Sequence, residues 1–256
     1  AAYLHPDVQG DSANALYNWA LPSAAGAAGS MNSSFGGFIG GGQIGYNWQF
    51  MGSFVGGVEA DIQGLAGGGG AASMLNVNQV GSAVASSSSG APIWTFGSAS
   101  RSLDYIGTVS GRLGYLVTPT LLVYGTGGFA YGGVSLSAGS WSYAPTISVL
   151  SELNNAWGGA GSFSNTQVGW TAGGGLEWMF LPNWSAKVEY FYYDLGSVSF
   201  GQSLSGSVIN RPNDPRYGQA WWLNASQVSA RFNGNIVRAG LNYHFNWGSA
   251  PSVIAQ

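Results

Sequence analysis

The sequence predicts an all-β chain: a transmembrane, antiparallel, up-and-down β-barrel of eight strands, with short periplasmic turns and long extracellular loops. Three observations carry that expectation. Apolar and polar residues alternate with a period of two in one segment after another, which gives each strand two unlike faces. Charged residues make up only 7% of the 256 residues, against roughly 25% in an average soluble domain, too few to cover a water-facing surface. Mean hydropathy is nonetheless only +0.10, and no run of about 18 apolar residues occurs, so helical membrane spans are excluded.

The chain divides into an N-terminal segment 1–34, a barrel 35–245 and a C-terminal extension 246–256. In the first, Tyr17, Trp19 and Leu21 alternate with Leu16, Asn18 and Ala20. Single-chain bacterial barrels have an even strand number, so residues 13–21 are the candidate for a first strand ahead of Phe35. Phe35 to Trp48 is the next strand, with Gln43, Gly45 and Asn47 opposite Ile44, Tyr46 and Trp48. After a turn at 49–53, Glu59, Asp61 and Gln63 alternate with Val58, Ala60 and Ile62 up to Leu65. The stretch 65–102 is Gly- and Ser-rich and reads as a long loop. From 104 to 117, Asp104, Thr108, Ser110 and Arg112 oppose Tyr105, Val109, Leu113 and Tyr115. Across the turn at 118–119, Thr120 to Val134 turns Leu121, Val123, Phe129 and Tyr131 to lipid, with Tyr124 and Thr126 inside.

A second loop spans 135–166. The clearest alternation follows: Val168, Trp170, Ala172, Gly174, Leu176, Trp178 and Phe180 against a polar set that includes Glu177. The turn at 181–183 leads to Trp184, Ala186, Val188, Tyr190 and Tyr192 against Ser185, Lys187 and Glu189. A third loop covers 196–234. The last strand, 235–245, sets Arg238, Asn242 and His244 against Val237, Ala239, Leu241, Tyr243 and Phe245.

Trp48, Phe54, Tyr115, Trp178, Phe180, Trp184, Tyr243 and Phe245 all fall at the short-turn ends, where the aromatic girdle of a membrane barrel belongs. The polar phase collects Glu59, Asp61, Asp104, Arg112, Glu177, Lys187, Glu189 and Arg238 into an expected network of lumen charges. Eight strands enclose just enough space for their own side chains, so ion pairs filling the lumen are expected before a selectivity filter. Arg238 is the expected structural cation of the closing strand, with Glu59 or Glu177 as its partner.

Gly41-Gly42-Gln43-Ile44-Gly45-Tyr46-Asn47-Trp48, Gly57-Val58-Glu59-Ala60-Asp61-Ile62-Gln63-Gly64 and Gly111-Arg112-Leu113-Gly114-Tyr115 form an ordered series of motifs. It continues with Pro182-Asn183-Trp184-Ser185-Ala186-Lys187-Val188-Glu189-Tyr190, Tyr192-Tyr193-Asp194-Leu195-Gly196 and Val237-Arg238-Ala239-Gly240-Leu241-Asn242-Tyr243-His244-Phe245. In this order the motifs resemble the outer-membrane immunogenic, opacity-type proteins of alphaproteobacteria, porin-like surface antigens with an OmpA-like eight-stranded barrel. The resemblance implies a bacterial outer-membrane location and surface exposure rather than a reaction. Tyr243-His244-Phe245 resembles the terminal signal read by the barrel-insertion machinery, although residues 246–256 follow it.

The net charge of −3 and the seven dispersed cations argue against nucleic acid. Without cysteine there is no disulfide and no thiolate metal site. No signal peptide is visible, and Ala1-Ala2 fits what cleavage leaves behind. Gly40-x-Gly42-x-x-Gly45 matches a dinucleotide pattern in letters, but no helix follows it. His5 and His244 are the only histidines, and His244 has no local nucleophile pattern around it. No cofactor, metal or catalytic residue is expected. The expected role is envelope integrity and surface contact; the alternatives are a narrow diffusion channel and, more remotely, a lipid-modifying enzyme. The expected partners are outer-membrane lipid and lipopolysaccharide, the insertion machinery, and further copies meeting through aromatic loops.

Overall fold

The computed structural model describes residues 24–34, 36–79, 92–143, 156–202, 205–208, 220–224 and 226–245. Strands β1 (Phe38–Phe50), β2 (Phe54–Ala66), β3 (Gly69–Gln79), β4 (Pro92–Thr118) and β5 (Leu121–Tyr143) are followed by β6 (Ala156–Leu181), β7 (Trp184–Gly201), β8 (Ser205–Val208), β9 (Ala220–Asn224) and β10 (Gln227–Tyr243). They form one antiparallel sheet in the order β1-β2-β4-β5-β6-β7-β10, with β3 also on β4, plus a β8-β9 ribbon. The three tight turns fall at 51–53, 119–120 and 182–183. Met51 (φ 45°) and Gly52 (φ 78°) reverse the chain between β1 and β2.

β2 and β3 lie end to end along β4. Tyr105 to Tyr115 of β4 pair with β2, and Pro92 to Ser102 pair with β3. The joint is Gly67, at φ 84°, where only glycine sits without strain. This corrects the expected loop at 65–102: its Ser, Ala and Gly residues are weak strand formers by propensity, yet they are recruited because β4 offers them backbone partners. The same correction applies to the expected loops at 135–166 and 196–234. β5 and β6 remain paired out to Tyr143 and Ala156, and β7 and β10 out to Gly201 and Gln227. The expected first strand at 13–21 and the extension 246–256 lie outside the described residues.

Alternation sorts the side chains as a membrane requires. Ile44, Val58, Val109, Leu113, Val123, Leu176, Val188 and Leu241 point outward, 41–77% exposed. The eight aromatics of the short-turn end also point outward, 40–70% exposed. Their rings meet edge to face, Phe54 with Tyr115 at 5.3 Å and Trp184 with Tyr243 at 5.2 Å. Higher up, the ring of Tyr131 lies across Gly107 on the neighbouring strand, where a Cβ would stand 2.3 Å from it.

The edges β1 and β10 approach one another through their side chains, Gln43 Nε2 donating to Asn242 Oδ1 at 2.5 Å. Inside, above the charged residues, Leu103, Ile106, Phe191, Leu195, Phe232 and Ile236 belong to an apolar core, each at most 8% exposed.

A barrel of this kind holds its shape in detergent until heated, because backbone groups paired along neighbouring strands are not easily taken up by other partners. Unboiled protein is therefore expected to migrate differently from boiled protein on a gel. Identical bands, together with solubility in plain buffer, contradict the fold.

Candidate functional site: the charged lumen

Neighbouring strands direct seven of the eight expected charges into one network. β2 contributes Glu59 and Asp61, β4 Arg112, β6 Glu177, β7 Lys187 and Glu189, and β10 Arg238. Glu59 is the hub: it stands 2.7 Å from Lys187, 3.2 Å from Arg238 and 3.6 Å from Arg112. Arg238 also reaches Glu189 at 2.5 Å, its direct cross-strand partner in the β7–β10 register, and Asp61 at 3.1 Å. Arg112 meets Glu177 at 2.7 Å. Of the two partners expected for Arg238, the structure gives it Glu59, while Glu177 pairs with Arg112.

Asp104 does not join them. A register shift between Leu103 and Tyr105 makes it the bulge residue of β4. Below the bulge the inward phase is even, with Ile106, Thr108, Ser110 and Arg112 buried; above it the phase is odd, with Leu103, Thr95 and Ile93 buried. Asp104 falls on the outside and accepts a hydrogen bond from Ser102 Oγ at 3.2 Å. A strict period of two carried through the bulge placed it wrongly.

Neutral groups complete the network. Asp61 accepts from Thr108 Oγ1 at 2.6 Å and from Gln63 Nε2 at 2.9 Å. Glu177 accepts from Ser185 Oγ at 2.6 Å and Asn242 Nδ2 at 3.0 Å. The Arg112 guanidinium lies 3.9 Å over the ring of Tyr124, and that of Arg238 lies 4.9 Å from Phe191. Such bonds are what a charge needs once it leaves water. Four carboxylates face three cations, one formal negative charge in excess, and His244 stands 3.6 Å from Glu177.

Ser185 and His244 are neighbours only in space. The Ser185 hydroxyl has one hydrogen, directed at Glu177, so His244 Nε2–H donates to Ser185 Oγ across 2.9 Å. Serine stands between histidine and carboxylate here, whereas a hydrolytic triad places histidine between the other two. Ser185 is moreover 0% exposed. The chemistry of this corner is charge burial. Sequence reasoning placed Asn242 and His244 on the inward phase but could not join them to Glu177, because that contact spans 65 or more positions.

Above the network the lumen is apolar, which the sequence analysis missed. The signal lay in Phe191, Tyr193 and Leu195, apolar residues on the inward phase of β7, each at most 4% exposed. No group of metal-ligating side chains occurs among the described residues.

Arg238→Met removes one member of a buried network and is expected to cost about 3 kcal/mol, less where water reaches the network. The heat transition on a gel should fall clearly. Glu189→Gln should restore part of the loss. Arg231→Met removes a guanidinium that is 62% exposed from the buried Asp194 carboxylate, which keeps the Gly196 N–H at 2.9 Å, and should lower the transition less than Arg238→Met does. An unchanged transition in Arg238→Met contradicts the assigned network.

A family model for the outer membrane protein beta-barrel domain matches residues 12–245. The chain is 33% identical over 218 residues to the 31 kDa outer-membrane immunogenic protein of Brucella melitensis biotype 1, covering 85% of this chain and 70% of that protein. The protein of the same description from Brucella suis biovar 1 gives the same figures. A 22 kDa outer membrane protein of Rhizobium leguminosarum bv. viciae is 31% identical over 178 residues, covering 66% of this chain and 62% of that protein. No solved structure matches the chain.

Proposed function

We propose that this chain, which belongs to the outer membrane protein β-barrel family and resides in the bacterial outer membrane, is a sealed barrel with a structural and surface-presenting role in the envelope. One observation supports this reading above others: inward side chains occupy the lumen in two storeys. The lower one holds the ion-paired network around Glu59, beside a cleft of about 530 Å³ between β1 and β10. The upper one is packed with Phe232, Ile106, Leu103 and Val134, each 0–1% exposed. Selective conduction needs a path that water can follow, and eight strands leave little room beyond their own side chains.

The part beyond the membrane supports surface presentation. A tilted strand crosses hydrocarbon in about 9–11 residues, whereas β4 has 27 and β6 has 26. More than half of each therefore stands outside the lipid, on the side away from the tight turns. The described geometry offers no reacting constellation, so the reading includes no enzymatic step.

Proteoliposome swelling tests it. Vesicles with this protein should swell in a small neutral sugar no faster than protein-free vesicles. Phe232→Ala combined with Leu195→Ala, which thins the apolar layer, should raise the rate if folding survives by gel shift. Porin-like swelling by the unaltered protein contradicts the sealed-lumen reading.

A further inference from the structure

The outward face of the long strands carries an unusual chemistry above the lipid band. Over 69–77 of β3, 94–102 of β4, 135–143 of β5 and 156–166 of β6, no outward-phase residue is charged. The register lays these residues in rows. At the top stand six large side chains in two rows, Leu75-Phe96-Trp141 and Val77-Trp94-Tyr143, each residue opposite the next. They are 37–52% exposed. The rings of Trp141 and Tyr143 stack at 6.0 Å with 7° between planes, and Phe96 lies 5.6 Å from Trp141.

Beneath this tier the same face is hydroxylic. Ser100 and Ser137 bond across strands at 2.7 Å, and Ser135 and Ser164 at 3.0 Å. Ser98 and Ser162 extend the rows, and glycines at 139 and 158 leave a shallow trough of about 770 Å³ beside Phe96 and Trp141. Each paired hydroxyl keeps free acceptor capacity.

We propose that this face binds the neutral saccharide chains of lipopolysaccharide in the leaflet where the barrel sits. A contiguous tier of exposed large apolar side chains marks an interaction site. Flat aromatic rings accept the apolar C–H faces of sugar rings, and serine hydroxyls meet sugar hydroxyls. An anionic ligand finds no cation on this face. A second copy of the chain is the competing occupant: the aromatic tier suits a protein interface, but the broad serine and alanine rows beneath it are depleted in such interfaces. The face is continuous with the lipid-facing band: from Tyr131 to Trp141 the strand climbs ten residues, roughly 25 Å at the usual rise and tilt. A saccharide anchored in that leaflet runs alongside it. The inference depends on the outer-membrane placement and not on whether the lumen is sealed.

The test is binding of full-length protein, in detergent micelles, to lipopolysaccharide with and without its polysaccharide. The intact form should bind at least tenfold tighter, and released neutral polysaccharide should compete. Trp141→Ser with Phe96→Ser alters only exposed rings and should abolish the preference while the heat-dependent gel shift persists. Equal affinity for both forms overturns the proposal, as does a preference unchanged in the double variant. If the protein shows no preference and the double variant instead converts an oligomer to a monomer, the face belongs to a second copy and the proposal fails.

Discussion

The constraint on which this structure depends is that a backbone N–H or C=O cannot be left unpaired in hydrocarbon. It requires the sheet to curl and the strands to pair along their length. Once the chain is a curled sheet, the period of two has a fixed consequence. Within the membrane band every second residue meets lipid, and the others meet an interior only about wide enough for their own side chains. Val188 and Lys187 are adjacent in sequence, yet Val188 is 56% exposed while Lys187 is 2% exposed and held against Glu59.

That enclosed space decides the electrostatics. Glu59 contacts cations from three other strands, so the network ties β2 to β4, β7 and β10. Buried charges of this kind are weak contributors to net stability but severe penalties when one partner is lost, and they hold strands in register. The apolar core above them has a different logic. It begins where β4 changes phase at Asp104, and Leu103 and Ile106 on either side of that bulge both turn inward. The bulge thus marks the passage from a charged storey to an apolar one.

Much of this was legible in the sequence. The alternation from Val168 to Phe180 and its aromatic end identified the barrel and both faces of β6. The inward phase of Glu59, Lys187 and Arg238 followed from spacing alone. Pairing did not: Arg112 meets Glu177 rather than its sequence neighbours because strand order and tilt, not spacing, bring β4 and β6 across the lumen. Asp104 was misplaced because a single extra residue inverts the phase of everything beyond it. The strands at 69–79 and 135–143 are not legible in the sequence, because Ser, Ala and Gly are weak strand formers. They become strands only when a neighbouring strand supplies hydrogen bonds.

The central claim, that the apolar storey of the lumen is packed while the opposite face meets lipid, is most directly tested by thiol accessibility. The chain has no cysteine, so single cysteines can be placed freely. Cysteine at Ala130 (0% exposed, inward) should resist both a water-soluble, membrane-impermeant maleimide and a lipid-soluble one in reconstituted protein. Cysteine at Val109 or Val123 (54% and 41% exposed, outward) should react with the lipid-soluble reagent alone. Rapid labelling at Ala130 by the water-soluble reagent, or at Val109 and Val123 by it in intact vesicles, would contradict the account.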